Sequence, residues 1–94
     1  MAEAADPEIE IQDVKASSRY EIHVGTELAG LADYRLEGDR IAFTHTEVDP
    51  AHGGQGLGSR LIEFAVTDAR SRGLEIIPRC PFVRKWIEEN PAPA

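Results

Sequence analysis

Apolar and polar residues alternate along the first half of the chain and then change to a helical period. IEIQDV (9–14) is a candidate edge strand, and SRYEIHV places Tyr20, Ile22 and Val24 on one face. ELAGLADYRLEG continues the alternation, so that Leu28, Gly30, Ala32, Tyr34 and Leu36 share a face while Asp33 and Arg35 point the other way. The segments GTE (25–27) and EGDR (37–40) read as hairpin turns between strands, the second because glycine accepts positive φ and aspartate favours turn backbone. Ile41 to Val48 is the next strand, which Pro50 ends because proline cannot extend a ladder. On strict alternation His45 and Glu47 share a face with Ile41 and Phe43, and Thr44 and Thr46 are simple strand formers.

From residue 55 to 72 the period becomes 3.6. Leu57, Leu61, Phe64, Ala65 and Ala69 keep to one side, flanked by Ile62 and Val66, and Gly73 closes the helix. LEIIPRC reads as a short strand. PFVRKWIEEN reads as a second helix, with Pro81 in its first turn, a buried stripe of Phe82, Val83, Trp86 and Ile87, and Pro91 as its stop. The expected class is α+β: a mixed, mostly antiparallel sheet, a long helix 55–72 and a short C-terminal helix. Strand 41–48, that helix and strand 74–79 make one β-α-β crossover, which places the two strands parallel and adjacent. Residues 1–7 are expected to be a disordered lead-in, and residues 8–91 a single domain.

Composition narrows the function classes. Seventeen acidic against ten basic residues give a net charge of −7, so a phosphate backbone is repelled on average and nucleic-acid binding is not expected. A single cysteine allows no internal disulfide and no cysteine cluster for zinc, and no metal is expected. The N-terminus lacks a basic segment followed by an apolar one, and no run approaches the ~20 apolar residues of a membrane span, so a cytoplasmic protein without a membrane role is expected.

The chemistry concentrates in HGGQGLGSR, where four of eight glycines fall at 53, 54, 56 and 58 between a strand and a helix. The first amides of a helix lack intrahelical partners, the dipole places partial positive charge there, and glycines let an anion approach the backbone. A phosphate or pyrophosphate is the expected occupant. The loop lacks the lysine of a P-loop, and a dinucleotide fingerprint begun at Gly54 lacks its third glycine.

VDPAHGGQGLGSRLIEFAVTDARSRG instead resembles the acetyl-CoA signature of the GNAT superfamily of N-acetyltransferases. Gly56 and Gly58 match its glycines, Val48 and Pro50 its strand exit, and Arg72 and Gly73 its helix end. Gly53 stands where that pattern usually has glutamine or arginine. RYEIHV, ADYRLEGDRIAFTHTEV and IPRCPFVRKWI extend the resemblance to the compact, single-domain GNAT-like group. Asn90 sits where a histidine is common before the proline.

The resemblance implies that acetyl-CoA lies between two splayed parallel strands. Backbone groups of the strand ending at Val48 would pair with its pantetheine arm. The amides of Gly53, Gly54, Gln55, Gly56, Leu57 and Gly58 would hold its pyrophosphate, with Ser59 and Arg60 adding a hydroxyl and a charge. It implies acetyl transfer to an amine, on a small molecule or a protein; a non-catalytic CoA-binding or protein-interaction module is the alternative. Cys80 falls at the start of the last helix, where the dipole favours a thiolate; it is open to acetylation, to proton abstraction or to a passive buried role. An amine must lose a proton before it attacks a thioester, and His45 or Glu47 is placed to take it; a hydrogen-bonded place near the core is the other reading of His45. Larger GNAT enzymes often use a tyrosine beyond the loop to protonate the departing thiolate, whereas Tyr20 and Tyr34 both precede it here.

Overall fold

The computed structural model describes residues 8–54 and 56–92; the expected lead-in, 1–7, and Gln55 lie outside the described residues. Among the described residues five strands and two α-helices follow one another: β1 (Ile9–Val14), β2 (Arg19–Val24), β3 (Glu27–Glu37), β4 (Arg40–Val48), α1 (Leu57–Ser71), β5 (Glu75–Pro78) and α2 (Pro81–Glu89). The five strands form one sheet in sequence order. All neighbours are antiparallel except β4 and β5, which run parallel on either side of the α1 crossover. The class and topology are those the apolar periods imply.

Both helices lie on one face of the sheet. Tyr20, Ile22, Ala32, Tyr34, Ile41 and Phe43 from the strands meet Leu57, Leu61, Ile62, Ala65, Val66 and Ala69 of α1 and Val83 of α2, all buried. The opposite sheet face carries Arg19, Glu21, His23, Asp33 and Arg35, none of them buried.

Two β-bulges interrupt the alternation and correct the sequence reading. In β3 the pairing passes from Ile22↔Gly30 to His23↔Leu28, leaving Ala29 as an extra residue; Leu28 turns outward, 37% exposed, and Ala29 is buried. In β4 the pairing passes from Tyr34↔Phe43 to Asp33↔His45, so Thr44 is extra. Because side chains alternate with period two, one inserted residue exchanges the faces of everything after it. Ile41 and Phe43 point to the core, but Thr46 and Val48, not His45 and Glu47, continue on that side.

The amphipathic stripes also end short of expectation. Phe64 is 41% exposed, because it packs edge-on against Tyr20 at 6.1 Å with its outer side free. Phe82 is 42% exposed and Leu36 51%, the latter at the strand end beyond the helices.

Candidate functional site

The glycine segment folds as a short 3-10 turn, Pro50–His52, capped by the Asp49 carboxylate, which accepts from the Ala51 amide at 2.9 Å. His52 Nε2 lies 3.0 Å from Glu27 Oε1 and fastens this turn to the start of β3. Gly54 and Gly56 then take positive φ, +79° and +72°, a conformation that L side chains rarely adopt. A Cβ at either would meet nothing within 4 Å, so the space above this backbone is open.

Gly56 is the N-cap of α1 and supplies no side-chain cap, and the first turn holds no acidic residue. The first α1 amide to donate back is that of Arg60, to the Gly56 carbonyl at 3.1 Å. The amides before it have no intrahelical acceptor, and the partial positive charge of a fifteen-residue helix is left uncompensated. This open, donor-rich turn fits a pyrophosphate. Gly58 does something different: it is buried, and a Cβ there would stand 2.9 Å from Phe82 Cζ and 3.2 Å from Val48 Cγ2. Its glycine lets the start of α1 approach β4 and α2.

β4 and β5 pair only from Arg40 to Phe43. The amides of Arg79 and Cys80 both donate to the Phe43 carbonyl, at 3.1 and 3.0 Å, and the chain then turns into α2. Beyond Phe43, β4 keeps β3 on one side and has no strand partner on the other among the described residues. The bulge at Thr44 therefore starts a free strand edge that runs toward the glycine turn, with Val48 at its end. Backbone groups there can pair with an extended polar arm.

Cys80 is the α2 N-cap and is buried, with Sγ donating to Thr46 Oγ1 at 3.3 Å. Burial pushes its thiol pKa up, but the Thr46 hydroxyl and the amides of Val83, Phe82 and Thr46 pull harder, and the net shift is downward. The thiolate-favouring helix start expected at Cys80 is present. Thr46, read as a simple strand former, is its partner. Only the Thr44 bulge turns it inward, and a period-two reading carries no sign of a bulge.

His45 and Glu47 pair with each other, Nε2 to Oε2 at 2.8 Å, and stand 55% and 65% exposed. They sit on the open sheet face, so the near-core reading of His45 is excluded. The three candidate catalytic residues thus form two groups across one strand: Cys80 with Thr46 on the helix face, His45 with Glu47 on the open one. Ser59 and Arg60 are exposed in the first turn of α1.

Neither tyrosine serves this end of the fold. Tyr20 donates to Asp68 Oδ2 and Tyr34 to Asp13 Oδ1, both at 2.6 Å, and Arg72 Nη1 bridges the two carboxylates at 3.2 and 3.4 Å. Burial first, then the hydrogen bond to Asp13, pushes the Tyr34 phenol up to about 12; burial and Asp68 push Tyr20 higher still. Asp68 lies eleven residues beyond Leu57, about 16 Å along the helix axis. Both hydroxyls belong to a structural network at the far end of α1. Among the described residues no cluster of His, Cys, Asp and Glu could hold a metal ion, and no helix is long and apolar enough to cross a membrane.

Comparison with known proteins agrees with this geometry. A family model described as GCN5-related N-acetyl-transferase matches residues 19–94. Over 61 residues the chain is 33% identical to Protein NATD1 of Gallus gallus and of Homo sapiens. That alignment covers 64% of this chain and 56% and 54% of theirs, so the chain spans about half the length of the curated relatives it matches. Among solved structures, a GCN5-like putative N-acetyltransferase from Staphylococcus aureus is 28% identical with a TM-score of 0.63, covering 90% of this chain and 81% of its own. The ribosomal-protein-S18-alanine N-acetyltransferase of Escherichia coli is 25% identical with a TM-score of 0.57, covering 60% of this chain and 36% of its own.

Proposed function

Because the chain belongs to the GCN5-related N-acetyltransferase family, matched over residues 19–94, we propose that it transfers the acetyl group of acetyl-CoA to a primary amine. The observation that carries this reading is the uncapped start of α1, with open glycine backbone above it, beside the free edge of β4. Acetyl-CoA supplies the electrophile: the amine nitrogen bonds to the carbonyl carbon, the carbon–sulfur bond breaks, and the electron pair leaves on sulfur.

The chain's own residues have three tasks. The amides at the start of α1 hold the pyrophosphate, and the β4 edge from Thr44 to Val48 pairs with the arm. The Glu47 carboxylate, with His45 behind it, accepts the ammonium proton, directly or through water, because both face the accessible side of the sheet. Departing sulfur takes its proton from solvent, since both tyrosines are held elsewhere. A transient acetyl on Cys80 is a second reading, favoured by the downward shift of its thiol. Bound acetyl-CoA with no turnover would be the non-catalytic alternative.

Incubation with acetyl-CoA and a panel of primary amines, following CoA release and product mass, tests the proposal. Acetylated amine is expected, and Glu47→Gln should lower the rate by about 10²-fold, as loss of a positioned base does. Acetyl-CoA binding without turnover on any amine would refute the enzyme reading. A stable acetyl on Cys80 in quenched intact-mass spectra would move the path to the thiol.

A further inference from the structure

A groove of about 210 Å³ opens between the first turn of α1 and the outer side of α2, lined by Ser59, Phe82, Lys85, Trp86 and Glu89. Its α2 members recur at i, i+3, i+4 and i+7, so they stand on one face of that helix. Two of them are aromatic: Phe82 is 42% exposed and Trp86 is half-buried against the core. Lys85 is exposed and has no ion-pair partner among the described residues, although Glu89 follows one turn later. An exposed phenylalanine beside a half-buried tryptophan and an uncommitted ammonium is a costly arrangement on the outer face of a helix whose inner face already packs on the core. It suits a flat aromatic ligand that carries an anion.

We propose that this groove binds the nucleotide end of coenzyme A, with adenine against Phe82 and Trp86 and the ribose 3′-phosphate on Lys85. The inference rests on the acetyl-CoA reading and adds the residues that recognise the half of the molecule remote from the chemistry. Position supports it. Ser59 belongs to the same first turn whose amides hold the pyrophosphate, and the adenosine is joined directly to that pyrophosphate. The Phe82 ring also packs over Gly58 in the first turn of α1, which sets the groove directly beside the helix start. A second groove beside Arg60 and Phe64 lies on the other side of α1 and contains Glu63 and Asp68, which oppose a phosphate. Glu89 opposes the phosphate in the proposed groove too, and this makes the test two-sided.

Trp86 is the only tryptophan, so its fluorescence reports the groove without any turnover. Coenzyme A and adenosine 3′,5′-bisphosphate are expected to quench it, and pantetheine is not. By calorimetry, coenzyme A should bind roughly three- to tenfold more tightly than 3′-dephospho-CoA, the margin of one charge-assisted contact. Lys85→Ala should abolish that margin, and Glu89→Gln should widen it; both positions are exposed and neither change disturbs the fold. Equal affinity for the two cofactors, or a margin lost in Arg60→Ala and kept in Lys85→Ala, overturns this inference and leaves the acetyl-CoA reading standing. No binding of either cofactor overturns both.

Discussion

Replacing Gly56 by alanine separates backbone conformation from crowding, because a Cβ at this position meets no atom within 4 Å. What remains is the φ of +72°, which costs an L residue about 1–2 kcal/mol. Alanine also narrows the unfolded ensemble, which offsets about 0.4–1 kcal/mol. The net loss is about 1 kcal/mol, and for a domain of this size that lowers Tm by about 4–8 °C. Asparagine tolerates the left-handed region better, so Gly56→Asn should fall between wild type and alanine. Thermal unfolding followed by far-ultraviolet circular dichroism checks the order glycine, asparagine, alanine. Calorimetry on the folded variants should show weaker acetyl-CoA binding in the same order, as the first amides of α1 are re-aimed. An alanine variant as stable as wild type would show that positive φ at residue 56 is not required, and the account of the turn would fail.

Gly58→Ala tests crowding instead: Phe82 Cζ at 2.9 Å and Val48 Cγ2 at 3.2 Å must give way, which costs about 1–2 kcal/mol. This is offset in part by the up to ~1 kcal/mol that alanine gains over glycine in a helix, so the expected net loss is below about 1 kcal/mol, read by urea unfolding. Much of it should vanish in a Phe82→Ala background, and purely additive losses would contradict the packing role. For Asp13, burial raises the pKa, but hydrogen bonds from Lys15 and Tyr34 and the charges of Lys15 and Arg72 lower it further, so the folded value lies below the unfolded ~3.9. The resulting stability is fully present above that value and is lost as pH falls through the folded pKa; Asp13→Asn should therefore be less stable than wild type near neutrality and converge with it in acid. Cys80, whose folded pKa is lowered, should be alkylated with a lower pH midpoint than the same thiol in the unfolded chain, and Thr46→Val should move that midpoint upward. A profile unchanged by Thr46→Val would remove the threonine from the account.

The element order was legible in the chain because the apolar period changes from two to 3.6 at the glycine segment, and the turns at residues 38 and 73 carry glycines at positive φ. The tight glycine turn was legible for the same reason, since Gly54 and Gly56 take backbone that few other residues accept. The faces of β4 were not. Thr44 looks like any strand residue, and its extra place in the ladder is fixed by the fit of β4 between β3 and the crossover, a property of the whole sheet. That one residue moved His45 and Glu47 to the open side and brought Thr46 to Cys80. The helix faces failed more mildly: Phe64 and Phe82 sit at the edges of their stripes, and a small domain has too few elements to cover both. Gly58 read only as part of the glycine loop; its close contact with Phe82, a residue twenty-four positions later, leaves no mark in the local sequence.

Isothermal titration of the folded chain with acetyl-CoA, with ATP and NAD as controls, tests the central claim most directly. Saturable binding of acetyl-CoA, absent or much weaker for the controls and weakened in Gly56→Ala, is the expected result. No heat with acetyl-CoA or free CoA, or equal binding of all three nucleotides, would contradict the account of the glycine turn as a coenzyme A site.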